Sequence, residues 1–292
     1  MKEKASKNKY KKRSQIYSVW LRFRRNKMAV AGLILLCILL ILAVCAPFIA
    51  DYEQVIKQDL TQRFIKPGAE HWFGTDAYGR DMFARVVWGA RYSLSIGIGA
   101  ILISLTIGSV IGSIAGFYGG KIDSVIMRII DVIMAIPGTL MAITIVAALG
   151  AGTTKLLIAM SISQIPTFSR VVRSIIMGIR EEEYVEAARS YGSRDRRLIM
   201  KQIWPNSLGP LIVQASLSMA QAVLTISSLS FIGLGIPAPT PEWGTILSEN
   251  KTNMRLYPYL CTIPGIAILL SVIAMNLIGD GLRDALDPKL KN

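Results

Sequence analysis

The chain has 292 residues, 52% of them hydrophobic and only 18% charged. Soluble domains carry about 25% charged residues. Here the shortfall is concentrated in long uncharged stretches, which excludes a soluble domain and marks a polytopic membrane protein. The net charge of +14 would suit a nucleic-acid binder, but residues 1–27 alone hold eleven Lys/Arg against one acid, Glu3. With no soluble domain to present that charge, no nucleic acid is expected as a partner.

The arm, residues 1–27, precedes a first apolar span at 28–50. A basic juxtamembrane segment is expected on the cytoplasmic side, attracted to membrane lipid of negative charge. Leu42-Ala43-Val44-Cys45 faintly resembles a lipoprotein cleavage box, but Val44 is too large for it and the apolar run is long for a signal peptide. An uncleaved span is expected. Cys37, Cys45 and Cys261 lie within or at the ends of apolar runs, with no metal-ligand spacing.

The extracytoplasmic segment 51–91 mixes six basic and six acidic residues around Trp72-Phe73-Gly74-Thr75-Asp76 and Gly79-Arg80-Asp81. Phe83, Val86, Val87 and Trp88 fall at helical spacing, which predicts an interfacial amphipathic helix there. The single histidine, His71, reads as a surface residue. The second span lies within 92–118. Its Ser104, Gly108, Gly112 and Gly116 recur every four residues, a small-residue face suited to close helix packing. After the turn Gly119-Gly120-Lys121, Arg128 and Asp131 stand three apart and are expected to pair on one helix face.

A third span is expected from about Asp131 to Ala148. Gly150-Ala151-Gly152-Thr153-Thr154-Lys155 is not a phosphate loop, because Lys does not directly follow the last Gly and no strand precedes it. A fourth span, 156–174, contains Pro166 as an interruption and carries Arg170 and Arg173 at its inner end. A fifth runs from about Ser207 to Ile232, followed by a bend with Pro237, Pro239 and Pro241, and a sixth from about Leu256 to Ile278. A polar tail, 281–292, closes the chain. In the fifth span Gln214, Ser218, Gln221, Thr225 and Ser228 are spaced four, three, four and three, so they share one stripe of a helix. Polar side chains in a span face a bundle interior or a wet cavity. Two readings stay open: a translocation path, or interhelical hydrogen bonds. Six spans put both termini on one side, and 24 of the 33 Lys/Arg fall on that side, the cytoplasmic one.

Between the fourth and fifth spans lies a charged island, residues 180–205. Its acids Glu181, Glu182 and Glu183 suit the first turn of a helix running from Arg180 to Tyr191. Ala187 and Ala188 permit close approach of another surface, Gly192 permits a turn, and Pro205 suits the start of the next span. Glu186-Ala187-Ala188, then Gly192, then Pro205 resembles the "EAA" loop of ABC-importer permeases. Gln202 and Trp204 depart from that pattern, which has Ile and Leu there.

The resemblance extends along the chain. Phe23-Arg24-Arg25-Asn26-Lys27, His71-Trp72-Phe73-Gly74-Thr75-Asp76, Pro239-Thr240-Pro241-Glu242-Trp243-Gly244, and Gly279-Asp280-Gly281-Leu282-Arg283-Asp284 with Asp287-Pro288 look like the C-type permease of oligopeptide, dipeptide and nickel importers. The resemblance implies an all-α membrane protein with six transmembrane helices and the type I ABC-importer permease fold, its core at 92–280. It further implies that Glu186, Ala187, Ala188, Gly192 and Pro205 form a coupling loop against a cytoplasmic ATPase. The implied partners are a B-type permease subunit in a heterodimer, two ATPase subunits, and an extracytoplasmic solute-binding protein. The location is a bacterial or archaeal cell membrane and the substrate a short peptide, with nickel or another small solute as the alternative. No Walker motif, nucleophile–base pair or carboxylate pair stands out. No catalytic residue, metal site or bound cofactor is therefore expected in this chain, ATP and Mg residing on the partners. A self-sufficient channel or ion-coupled carrier would need charge within the spans, which is lacking.

Overall fold

The computed structural model describes residues 15–286, where regular structure is helical apart from one bridge between Thr75 and Asp81. An amphipathic helix α1 (Gln15–Arg25) turns at Asn26 into α2 (Lys27–Ile49). The Asn26 side chain accepts hydrogen bonds from the amides of Met28 and Ala29, satisfying two donors that a helix start leaves unpaired. A short α3 (Tyr52–Ile56) and an extended loop lead to α4 (Met82–Tyr118). The bent pair α5 (Gly120–Met134) and α6 (Gly138–Leu149) follows, then α7 (Thr153–Arg180), α8 (Glu183–Ser190) and α9 (Asp195–Leu198). The chain ends with α10 (Trp204–Phe231), α11 (Trp243–Asn250) and α12 (Tyr259–Leu286).

Four helical runs are long and apolar enough to cross a membrane: α2, α4, the continuous Asp195–Phe231 run and α12. Counting α5 and α6 as one broken span makes five. The expected third span is thus corrected: the chain bends by 76° between α5 and α6, where Pro137 supplies no amide donor. Its second, 12-residue piece, α6, is about 18 Å long, short of a hydrocarbon core of about 30 Å. The fourth expected span, α7, has ample length at 28 residues, but Lys155, Arg170, Arg173 and Arg180 reduce its apolarity. Pro166 lies inside α7 without ending it. The helix α12 runs on through Leu286 and absorbs the first half, 281–286, of the segment expected as a polar tail. Asp287 and Pro288, and residues 1–14 of the basic arm, lie outside the described residues.

The bundle is built around α4. Ser104, Gly108, Gly112 and Gly116 line the side that meets α7. A Cβ at Gly112 would sit 2.5 Å from the Ser169 carbonyl oxygen and 2.7 Å from the Val172 Cβ. One at Gly108 would sit 2.6 Å from the Phe168 Cβ. The Ser104 hydroxyl donates across the seam to the Ser161 carbonyl at 2.8 Å. The two backbones therefore touch, which lengthens the run of close dispersion contacts that drives helix association in lipid.

The expected interfacial helix around Phe83 does not exist as a separate element. Val86, Val87 and Trp88 are buried in the first turns of α4, which the Asp81 carboxylate caps through the Ala84 amide at 2.8 Å. The other Asp81 oxygen lies 2.7 Å from His71 Nδ1, so the histidine is engaged rather than free at the surface. Beneath this cap lies a buried ring of charge. Arg80 bridges Asp76 (2.7 Å) and Glu249 (3.0 Å), and Arg85 bridges the same two acids at 3.3 and 2.5 Å. Such charges persist out of water only as mutual partners. The ring fastens the loop before α4 and the start of α4 to α11. Trp243 is fully buried beside it, its indole donating to the Val86 carbonyl at 2.9 Å.

At the other end, Asp131 pairs with Arg170 at 2.5 Å and Asp123 takes both guanidinium arms of Arg173. The expected Arg128–Asp131 pair gives way to these links, because α7 presents its arginines directly to the acids of α5.

Overpacking costs about 1–3 kcal/mol where neighbours cannot yield. Gly112→Leu should therefore lower the thermal stability and yield of the detergent-extracted protein. Gly178→Ala, where an added Cβ meets nothing within 4 Å, should leave both unchanged. Equal behaviour of the two variants would contradict this packing.

Candidate functional site

The charged island folds into a compact projection on the end of the bundle. The chain leaves α7 at Glu181 and re-enters helix at Glu183, so α8 is shorter than the helix expected from Arg180 to Tyr191. Glu183 and Glu186 occupy its first turn, where the helix dipole favours acids. Gly192, at φ +77°, ends it. The Ser193 amide donates to the Ala188 carbonyl and the Gly192 amide to the Arg189 carbonyl, the paired bonds of a Schellman turn.

The most deeply buried residue of α8 is Val185. Val185 is 1% exposed and packs with Phe117 of α4, Ile176 of α7, Leu198 of α9 and Ile203. Ala188, one turn later, is half-buried against the same cluster. Arg189 lies over the Phe117 ring at 5.7 Å, and Arg180 donates to the Phe117 carbonyl at 3.1 Å. Glu186, Ala187, Ser190 and Gly192 face outward, and Tyr191 stands at the tip with 92% of its surface exposed. Thus the two alanines part ways: Ala187 lies on the open face and Ala188 turns toward the chain's own core. Tyr191 was not singled out from sequence, where nothing local distinguishes an exposed tyrosine from a buried one.

The second half of the island does not break at Pro205. The helix α9 widens into a π turn over Ile199–Ile203, with the Trp204 amide donating to the Ile199 carbonyl, and continues as α10. Pro205 offers no amide and would crowd the carbonyl four residues back in a regular helix. The wider turn removes that conflict. The hydroxyl of Tyr184 accepts from the Asn206 side-chain amide at 3.1 Å. Burial, with Glu182 close by, pushes that phenol above its ordinary range, and the Asn206 bond only partly opposes this.

The polar stripe of α10 is split by the fold. Ser218 is buried and bonded to Gln214 at 3.2 Å, while Gln221 and Ser228 are exposed and Thr225 is half-buried. The hydroxyls of Thr225 and Ser228 donate to carbonyls of their own helix, those of Gln221 and Leu224. Leu224 and Phe231, also exposed, border the stripe. Around Gln221, Thr225 and Ser228 this leaves an open, mixed polar–apolar face, while at its end the Lys251 ammonium lies over the Phe231 ring at 5.4 Å. Cys37, Cys45 and Cys261 are free thiols.

The attachment of α8 is testable. Val185→Asp would bury an unpaired carboxylate among Phe117, Ile176, Leu198 and Ile203, a change that costs several kcal/mol or frees the helix. Limited proteolysis of the membrane-inserted protein should then cut between residues 181 and 195 much faster than in the parent. Unchanged cleavage would show that α8 is held by something other than Val185.

The family model of the binding-protein-dependent transport system inner membrane component matches residues 108–292, and that of the N-terminal transmembrane domain of oligopeptide transport permease C matches residues 14–67. The dipeptide transport system permease protein DppC of Alkalihalophilus pseudofirmus is 45% identical over 271 residues, which is 93% of this chain and 89% of that one. The glutathione transport system permease protein GsiD of Pectobacterium atrosepticum is 41% identical over 273 residues, 94% of this chain and 91% of its own length. The GsiD protein of Escherichia coli is 41% identical over 279 residues, covering 96% and 92%. With an all-helical bundle, several membrane-length helices and similarity across almost the whole chain, this protein belongs to the binding-protein-dependent transport system inner membrane component family, as a C-type permease of an ABC importer.

Proposed function

We propose that this permease forms half of a translocation pathway for short peptides and that α8 is its coupling helix. The observation carrying this reading is the construction of α8: a helix anchored by the buried Val185, with an outward face of Glu186, Ala187, Ser190 and Tyr191 that no described residue covers. That face suits a groove on a cytoplasmic ATPase. Two such ATPase subunits would supply ATP and Mg, a B-type permease the other half of the pathway, and an extracytoplasmic binding protein the substrate. Both termini would then be cytoplasmic, on the side of α8, since α1, the end of α12 and the start of α10 meet there. The uncovered face of α10 fits the pathway: Gln221, Thr225 and Ser228 offer hydrogen bonds without a fixed charge. Such a surface passes a peptide backbone and tolerates varied side chains. The peptide class is supported by two sets of relatives named for dipeptide and for glutathione transport, since glutathione is itself a short peptide.

Ala187→Arg places an unpaired charge at the centre of the proposed contact without touching the chain's own core. The assembled complex should lose coupled peptide uptake by about tenfold or more, as at other buried interface positions, while the membrane yield of this chain stays normal. Ala188→Arg should in addition lower stability, because Ala188 packs inward. Wild-type uptake by the Ala187→Arg complex would overturn the assignment of α8.

A further inference from the structure

The helix α1 is separated from the membrane-length helix α2 only by Asn26, so it lies at the surface of the membrane that α2 enters. One face is committed to the bundle. Phe23 is 4% exposed and packs with Ala29 and Ala285. Arg22 donates to the Ala285 carbonyl at 3.3 Å, and the Asn26 amide donates to Asp284 at 3.3 Å. The other face is open. Trp20, half-exposed with its ring stacked on Phe23 at 5.9 Å and 13°, shares one side of α1 with exposed Arg24 four residues on; Arg25 is exposed farther round the helix, and exposed Lys27 opens α2.

The charge on this face is one-sided. Residues 15–27 contain Arg22, Arg24, Arg25 and Lys27 and no acid. The end of α12 packed against them adds Arg283, Asp280 and Asp284, the last already engaged by Asn26. Among the described residues, no carboxylate lies within ion-pair distance of Arg24 or Arg25. A guanidinium group matches phosphate oxygens in geometry and charge, and two long arginine side chains on neighbouring sides of α1 can each reach toward the headgroup layer. An indole braced by a neighbouring ring suits the headgroup level of a bilayer. Because α1 is rooted at the membrane by α2, its open face meets headgroups before it meets any soluble partner.

We propose that Trp20, Arg24, Arg25 and Lys27 form a binding site for an anionic phospholipid, with the phosphate on the arginines and the glycerol region against Trp20. The site lies on the same side of the bundle as α8: α1 rides on the end of α12, whose Leu286 touches Gly209 at the start of α10. It depends on α2 being a membrane span and not on what α8 binds, so the two assignments fail independently. The fastening of α1 to α12 through Phe23 and Arg22 makes the lipid a brace on the α2–α12 pair.

The test uses the full chain purified with its co-assembled subunits and equilibrated with mixed micelles carrying labelled phosphatidylglycerol or phosphatidylcholine. Arg24→Gln/Arg25→Gln, at exposed positions, should weaken phosphatidylglycerol retention by roughly tenfold or more and leave phosphatidylcholine retention unchanged. In vesicles with brominated acyl chains, the fluorescence difference between the parent and Trp20→Phe should be quenched, as expected of an indole at the acyl boundary. Equal phosphatidylglycerol retention in parent and double variant would overturn the proposal. So would an unquenched Trp20 signal, which would show that face covered by protein, an acidic partner included.

Discussion

Backbone-to-backbone contact between α4 and α7 is the constraint on which the rest of the molecule depends. In hydrocarbon there is no hydrophobic gain from bringing two apolar helices together. Close approach must supply the attraction, and Gly108, Gly112 and Gly116 allow it by leaving no Cβ between α4 and the Ser169–Ile176 stretch of α7. Both functional ends hang on this seam. At one end, Arg85 of α4 joins Arg80, Asp76 and Glu249 in the buried ring that fixes the 57–81 loop. At the other end, Phe117 of α4 and Ile176 of α7 form the pocket that holds Val185.

The same geometry suggests how movement of α8 would reach the pathway. Val185, Leu198 and Ile203 share one cluster with Leu211 of α10. Helices α9 and α10 are continuous through the π turn, so a push on α8 acts on a rigid lever rather than on a loop. The lever carries Gln221, Thr225 and Ser228 farther along. On this account the π turn has a mechanical role: it lets Pro205 sit in the chain without the kink that would absorb the motion.

Features written in local periodicity were legible in the sequence. The four-residue repeat from Ser104 to Gly116 marked the face that meets α7, and Gly192 marked the turn that ends α8. The outlines of α2, α10 and α12 followed from their apolar runs. Features that depend on distant residues were not legible. Nothing local joins Asp76 to Glu249, so the ring was hidden. Arg128 and Asp131 looked like partners because the helical period brings them together, yet the arginines of α7 compete for the same acids and prevail. Three prolines of similar local appearance behave differently: Pro137 marks a bend, whereas Pro166 and Pro210 lie inside continuous helices. The opposite fates of Ala187 and Ala188 depend on where Val185 lands, which only packing decides.

If α8 is the coupling helix, nucleotide on partner subunits changes, through α8, what the polar face of α10 meets. The most direct measurement is the reactivity of Gln221→Cys toward a water-soluble thiol reagent, in the assembled complex with Cys37, Cys45 and Cys261 replaced. The account predicts labelling whose rate changes by severalfold when ATP is bound under non-hydrolysing conditions, and loss of that dependence when Ala187→Arg is added. Protection of the thiol in every nucleotide state would contradict it, and would leave the stripe on α10 as a helix-packing surface.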